Sequence, residues 1–375
     1  MEVADIKNNM IFVTKTKLPP IKRYYKYLEK IWANNWVTNN GELLRELEEK
    51  LRSYLGVRHM SLITNATVAL QMAMKAIDGD SGGEVITTPF TFAASTNVIL
   101  WEHMTPVFAD IDPETFNIDP ADIEKKITKK TRAILAVHVY GNPCDLEKIH
   151  KIATKHNLKV IYDAAHAFDV SYKGKSVLNY GDISILSFHA TKVFNTIEGG
   201  ALITKSKQLS DRLKLMRNFG IVHEEKVTYP GINGKMNEFQ AAMGLCNLQT
   251  VSRDIKAREK MYKLYLSLLG NISGLRFQKI IASKYNFSYM PVLFRNKKHR
   301  DLVYGKLKEN EIHARKYFYP LTSSFDYLSS RQIEENKQML PVASGIADRV
   351  LCLPLYAEMT DDVVEKVVKV IEKYS

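Results

Sequence analysis

Asp182-Ile183-Ser184-Ile185-Leu186-Ser187-Phe188-His189-Ala190-Thr191-Lys192 is the run from which the rest of the chain is read. Its first part has the length and apolar character of a buried strand. The lysine comes next, then Val193-Phe194-Asn195-Thr196-Ile197-Glu198-Gly199-Gly200-Ala201. A lysine just past a buried strand and before a paired-glycine turn can be held partly desolvated. Desolvation lowers an ammonium pKa and frees the amine as a nucleophile. Upstream, Leu158-Lys159-Val160-Ile161-Tyr162 reads as a second strand and ends in Asp163-Ala164-Ala165-His166. A carboxylate at one strand end and a lysine at the next suggest a pyridoxal phosphate (PLP) site. The aspartate would pair with the pyridinium nitrogen and the lysine with the aldehyde.

Working outward, apolar runs predict strands near Met60–Ile63, Glu84–Thr87, Val107–Asp110, Ala133–His138, Lys159–Tyr162, Ile183–Phe188 and Ala201–Thr204. Helical spacing predicts helices over Ile21–Ala33, Glu42–Tyr54, Val68–Ile77, Ala93–Trp101 and Leu146–His156. The alternation implies an α/β fold with a mainly parallel, seven-stranded sheet covered on both faces by helices. After about residue 237 the character changes. Asn237–Leu269 reads as one or two long helices, followed by strands near Leu275–Phe277 and Tyr289–Phe294, a helix over Lys298–Glu309 and a terminal helix from Thr360. The expected division is an N-terminal arm and large domain over 1–236 and a smaller α+β domain over 237–375, with residues 1–10 as a loose arm.

At 375 residues, 45% hydrophobic and 25% charged, the chain has the composition of a globular enzyme. No apolar run reaches the length of a membrane span and the N-terminus has no apolar signal core, so a cytoplasmic protein without membrane partners is expected. Cys144, Cys246 and Cys352 form neither a disulfide framework nor a metal spacing. The net charge of +12 would suit a polyanion. Most basic residues alternate with acids along helices, so solvated faces rather than nucleic-acid binding are expected.

Several further residues have two readings each. Thr64-Asn65-Ala66-Thr67 opens a helix after the first core strand and is either a phosphate cup or an ordinary N-cap. Ser187 could complete such a cup. Phe92, at a strand end, either stacks on a flat ring or belongs to the core. His166 either bonds a ring hydroxyl or is structural. His189 is a candidate for touching substrate or shuttling a proton, and Glu198 is an anchor or an acid. Lys15, Lys17, Arg315 and Lys316 are candidate cations for a substrate phosphate, or solvated charges.

Taken in order, these segments resemble the DegT/DnrJ/EryC1/StrS sugar aminotransferases, fold-type-I PLP enzymes. The matching residues include Thr38-Asn39-Asn40-Gly41, Thr88-Pro89-Phe90-Thr91-Phe92, Asp163-Ala164-Ala165-His166-Ala167, Ser187 to Lys192, Glu198-Gly199-Gly200 and Gly231-Ile232-Asn233-Gly234-Lys235-Met236. The resemblance implies Lys192 as the Schiff-base lysine and proton carrier and Asp163 as the partner of the ring nitrogen. It implies His166 at the ring hydroxyl, Phe92 on the ring face, and Ala66, Thr67 and Ser187 at the phosphate. Asn233 would reach the phosphate of the neighbouring subunit in a homodimer with shared sites. Independently of the resemblance, on their own settings, His189, Arg315, Lys316 and Tyr317 are candidates to face the substrate.

The runs Ser187–Gly200 and Arg315–Leu321 are most similar to transaminases that form dTDP-viosamine by aminating C4 of dTDP-4-dehydro-6-deoxy-D-glucose with L-glutamate. Relatives acting at C3 tend to carry Gln at His166 and Asp at Glu198. Two positions depart from the family pattern: Ala66 and Asp169 stand where glycine is usual. Asp169 is expected to turn outward or find a cation. The rival readings are amination of another UDP-, GDP- or dTDP-linked keto sugar, and a PLP-binding regulator without turnover. A related dehydratase would carry histidine in place of Lys192.

Overall fold

The computed structural model describes residues 10–78 and 82–375, so the expected N-terminal arm lies, apart from Met10, outside the described residues. In chain order, β1 (Ile11–Phe12), α1 (Ile21–Asn34) and α2 (Glu42–Tyr54) come first. An alternating run follows: β2 (His59–Ile63), α3 (Ala66–Asp78), β3 (Glu84–Thr87), α4 (Ala93–Trp101), β4 (Thr105–Phe108), α5 (Pro120–Lys126), β5 (Thr131–Val137), α6 (Leu146–His156) and β6 (Lys159–Asp163). The small ladder β7 (Ser171–Tyr172) and β8 (Lys175–Ser176) precedes β9 (Ile183–Ser187), β10 (Gly200–Thr204), α7 (Lys207–Met216), β11 (Ile221–His223) and β12 (Lys226–Val227). The C-terminal part comprises α8 (Glu238–Leu248), α9 (Val251–Leu269), β13 (Arg276–Phe277), β14 (Met290–Leu293), α10 (Lys297–Glu309), β15 (Ile312–His313), α11 (Ser330–Met339), α12 (Pro341–Ala347), β16 (Val350–Leu353) and α13 (Asp361–Lys373).

The main sheet has seven strands in the order β2-β10-β9-β6-β5-β3-β4. Neighbours from β9 to β4 pair in parallel, and β10 alone runs antiparallel to both β9 and β2. These are the seven strands that the apolar runs predict. Every residue of β9 and β10 is buried, which is why both read as continuous apolar segments. Six strands end on the same edge, so the loops after β2, β3, β6 and β9 converge there, where open α/β sheets place their ligands.

The C-terminal sheet is β13-β14-β16, antiparallel, with α9, α10 and α13 contributing to its apolar cluster. β1 pairs with β15 and so ties the start of the described chain to this region. Apolar packing crosses residue 237. Ala241, Ala242, Leu245, Val251 and Ile255 share the cluster of α2 and β2, whereas Met261, Tyr262, Tyr265 and Leu269 belong to the C-terminal one. Four helices, α5, α7, α11 and α12, and the strands β1, β7, β8, β11, β12, β15 and β16 lie outside the sequence expectations. In α11 no residue is buried, so it has no apolar stripe to read. In β16 four apolar residues end at Pro354, too short a run to separate strand from helix.

Buried Glu238 joins the two halves of the large core. Its carboxylate accepts from the N–H groups of Leu43 and Leu44, each at 2.9 Å, and so caps α2 from the first residue of α8. A Cβ on Gly41 would stand 2.4 Å from Glu238 Cδ, which explains the glycine before α2. Glu238→Ala leaves two buried N–H groups without acceptors. Urea unfolding should show a loss of about 2 to 4 kcal/mol.

Candidate active site

A cavity of about 240 Å³ opens at the convergent strand ends. Of the residues expected at the site, Ala66, Thr67, Phe92, Asp163, His166, Ser187, His189, Lys192, Arg315 and Tyr317 all line it, as does Glu198. They come from five separate stretches of chain, and the sheet is what brings them together.

Asp163, the last residue of β6, is 6% exposed. Oδ2 accepts from Ser95 Oγ at 2.7 Å and Oδ1 from the Ala165 N–H at 3.0 Å. Ser95 Oγ is in turn 2.8 Å from Thr91 Oγ1. Burial raises the Asp163 pKa, while Ser95, the Ala165 N–H and the nearby Lys192 pull it back down. Each carboxylate oxygen keeps a lone pair for a further donor.

Lys192 lies on the loop after β9, half-buried where it borders the cavity, with its N–H on His189 O at 2.9 Å. Burial lowers its pKa to about 8; Asp163 opposes the shift and Arg315 adds to it. His189 Nδ1 accepts from the Thr191 N–H at 3.2 Å, and Nε2 lies 3.5 Å from Glu198 Oε1.

His166 is almost fully buried, and burial followed by the nearby Lys192 holds its pKa well below the usual range, so the ring is neutral. Nε2 lies 3.4 Å from Tyr289 Oη, and Nδ1 is buried without a partner among the described residues. A buried, unpartnered nitrogen beside a cavity is the kind of group that a ligand satisfies. Phe318 lies parallel to the His166 ring, with centroids 6.0 Å apart. Phe92 is 53% exposed, unlike fully buried Phe90, so it is free to cover a ring rather than fill the core.

Ala66 begins α3 with ordinary right-handed geometry and is absent from the positive-φ positions, so alanine fits there without strain. Asn65 Oδ1 takes the Val68 N–H at 2.9 Å, and the first N–H groups of a helix have no acceptor within it. β10 passes so close that a Cβ on Gly200 would stand 2.9 Å from Ala66 N. Asp169 has φ +58°, a backbone that suits the family's glycine, and it finds its cation: Lys284 Nζ at 2.6 Å, with Tyr54 Oη also donating at 3.0 Å.

The candidate cations separate. Lys316, expected to face substrate, does not line the cavity; its ammonium is 2.5 Å from Asp301 and lies over the Tyr304 ring. Lys17 is ion-paired with Asp254, and Lys15 is an exposed residue away from the cavity. Only Arg315 of the four borders it. Asn233 is exposed, bridged to Asn218 and outside the cavity of its own chain. Ser95 and Tyr289 carry no sequence signal of their own, and Thr91 and Phe318 fall within matching runs without a role of their own. Ser95 is one of three consecutive polar residues in α4, and Tyr289 is 123 residues from the histidine it meets.

Residues 21–372 match the DegT/DnrJ/EryC1/StrS aminotransferase family. The chain belongs to that family. It is 45% identical over 372 residues to a dTDP-4-amino-4,6-dideoxy-D-glucose transaminase of Escherichia coli, covering 98% of this chain and 99% of the relative. A GDP-perosamine synthase of Vibrio cholerae is 30% identical over 93% of this chain and 95% of its own length. The crystal structure of DesI, determined in the presence of its TDP-sugar product, superimposes with a TM-score of 0.90 at 33% identity, covering 98% of this chain and 93% of that one. The family implies PLP. No helix among the described residues is long and apolar enough to cross a membrane.

The depressed Lys192 pKa has a direct readout. In protein freed of PLP, reductive methylation quantified by peptide mass spectrometry should rise at Lys192 with a midpoint near pH 8. Solvated lysines should still be climbing above pH 10. A Lys192 midpoint in that higher range would mean that the amine is not desolvated.

Proposed function

We propose that this family member is a PLP-dependent transaminase of a nucleotide-linked 4-keto-6-deoxy sugar. Its reaction is amination of C4 of dTDP-4-dehydro-6-deoxy-D-glucose, giving dTDP-4-amino-4,6-dideoxy-D-glucose, with L-glutamate as donor. One observation carries the reading. A buried carboxylate and a desolvated lysine share a cavity, in a chain whose Escherichia coli relative has this activity in its name.

The groups present fit PLP. Asp163 offers a free lone pair to a protonated ring nitrogen. The orphaned His166 Nδ1 supplies a partner for the ring hydroxyl. The Ala66 and Thr67 N–H groups, with the hydroxyls of Thr67 and Ser187, form an anion cradle suited to the phosphate. Phe92 would cover a ring face, and Lys192 would hold the aldehyde covalently. Bound PLP supplies an electron sink for the charge that develops when the C–H bond beside the amine breaks.

The chain's own contribution is placement and proton transfer. The Asp163 carboxylate keeps the ring nitrogen protonated at no cost in reorganisation, because Ser95 and the Ala165 N–H already fix it. Lys192 Nζ, largely the free amine above about pH 8, removes the donor's α-proton and later delivers a proton to C4 of the sugar. His189 and Tyr317 border the substrate side. Asn233 of the partner subunit would complete the phosphate site across a two-fold dimer.

Protein loaded with pyridoxamine phosphate and offered a panel of keto-sugar nucleotides should regain the PLP absorbance with the dTDP-4-keto sugar, and NMR should place the new amine on C4. An amine at C3, or activity confined to GDP- or UDP-linked sugars, would overturn the substrate. Lys192→Ala should abolish turnover while the protein stays folded. Asp163→Asn should retain PLP yet slow both half-reactions by about 10²- to 10³-fold. Mixing inactive Lys192→Ala with impaired Asn233→Ala should restore part of the activity, because one site of each mixed dimer is then intact. Verified mixed dimers without recovery would refute a shared site.

A further inference from the structure

His166 is gripped from the C-terminal part of the chain. Its carbonyl accepts from Asn286 Nδ2 at 2.8 Å, and the same amide reaches Phe168 O at 2.8 Å. Tyr289 meets the far side of the imidazole, with Oη 3.4 Å from Nε2 and ring centroids 4.8 Å apart. The Tyr289 ring is itself fixed, 5.5 Å from Tyr140 and 5.6 Å from Tyr317. Asn286 and Tyr289 lie on the short run that enters β14, so one segment holds both the backbone and the ring of the histidine. PLP would take the near nitrogen, Nδ1, which leaves Tyr289 without a task.

The imidazole and the phenol carry one proton each. Burial holds the phenol pKa well above its usual value, and burial followed by Lys192 holds the imidazole pKa well below, so both groups are neutral. Two arrangements of the protons are open. In one, Nε2–H donates to Tyr289 Oη. The phenol O–H then has no acceptor among the described hydrogen bonds, and a buried donor is left unmet. In the other, the phenol O–H donates to Nε2, and the imidazole proton sits on Nδ1. That nitrogen is the one without a partner among the described residues, and His166 lines the cavity, where a bound molecule can accept the proton. The second arrangement leaves no donor of the pair unmet once the cavity is filled.

We propose that Tyr289 is a positioning residue that sets the tautomer of His166, so that Nδ1 carries the proton and donates a hydrogen bond to the ring oxygen of PLP. This role, which rests on the transaminase reading above, decides what His166 can offer the cofactor. The ring oxygen of PLP is acidic, and its anion is stabilised by a donor. A bare lone pair on Nδ1 would repel that anion, so the other tautomer would present the wrong nitrogen. With Tyr289 in place the competent tautomer is already the populated one before PLP arrives.

The test reads the tautomer in the full chain freed of PLP. Nitrogen-15 NMR of histidine-labelled protein separates protonated from unprotonated ring nitrogens, and His166→Gln identifies the His166 signals among the ten histidines. The native chain should show a protonated Nδ1 and an unprotonated Nε2. Tyr289→Phe keeps the ring packing and removes only the hydroxyl. It should shift the tautomer ratio toward Nε2–H on the order of 10-fold, the loss of one hydrogen bond. PLP titrated into the variant should bind more weakly by the factor by which the Nδ1–H fraction falls. A protonated Nε2 in the native chain, or an unchanged ratio in Tyr289→Phe, would overturn the proposal. So would a fall in the Nδ1–H fraction that leaves PLP affinity intact, because Nδ1 would then not meet the ring oxygen. A native chain that binds no PLP would overturn the transaminase reading, and the tautomer, read without PLP, tells that failure from this one.

Discussion

The structure turns on a carboxylate held at the end of a buried strand. Removing Asp163 from water raises the energy of its charged form, and that form persists only where donors replace the lost hydration. One comes from the Ala165 N–H in the turn after β6, the other from Ser95 on α4, a helix that follows a different strand. The registry between β3, β5 and β6 is what brings Ser95 within reach. A slip of one residue would turn Asp163 to the other face of the sheet. The paired, largely buried sheet is thus the frame that lets a charge be maintained at its edge.

Lys192 answers to the same constraint with the opposite sign. Burial disfavours its ammonium, Asp163 favours it, and the balance falls at about 8, within reach of neutral pH. β6 and β9 pair in parallel, so the end of one strand carries Asp163 and the loop after the other carries Lys192. His166 is kept neutral by the same dry surroundings. One low-dielectric pocket thereby sets an acid, an amine and an imidazole in the states that proton transfer beside a carbonyl needs.

Much of this was legible in the sequence because the sheet is buried on both faces. Strands β3, β6, β9 and β10 read as short, mainly apolar runs, and the chemistry-bearing residues sit at their ends or in the loops that follow. The expected helical stripe Leu146, Ile149, Ile152 and Ala153 is the buried face of α6. What stayed hidden depends on contacts between distant segments. Ser95 is one of three consecutive polar residues in α4, Ser95-Thr96-Asn97, with nothing to mark it among them as a carboxylate's partner. The chain of ring contacts from Arg315 through Tyr317 and Tyr289 to His166 joins residues from separate elements. Lys316 and Arg315 are adjacent and equally basic, yet one is consumed by Asp301 and the other lines the cavity. Sequence alone has no means of telling them apart. The two-residue strands β1 and β15 exist through their mutual pairing, so neither carries a period of its own.

The central claim is that Asp163 is a charged partner that keeps the ring nitrogen of bound PLP protonated. Nitrogen-15 NMR of protein reconstituted with PLP labelled at the ring nitrogen reads that proton directly. The account expects the chemical shift of a protonated pyridine, unchanged between pH 6 and 9, in the native chain and an unprotonated shift in Asp163→Asn. An unprotonated ring nitrogen in the native chain would contradict it.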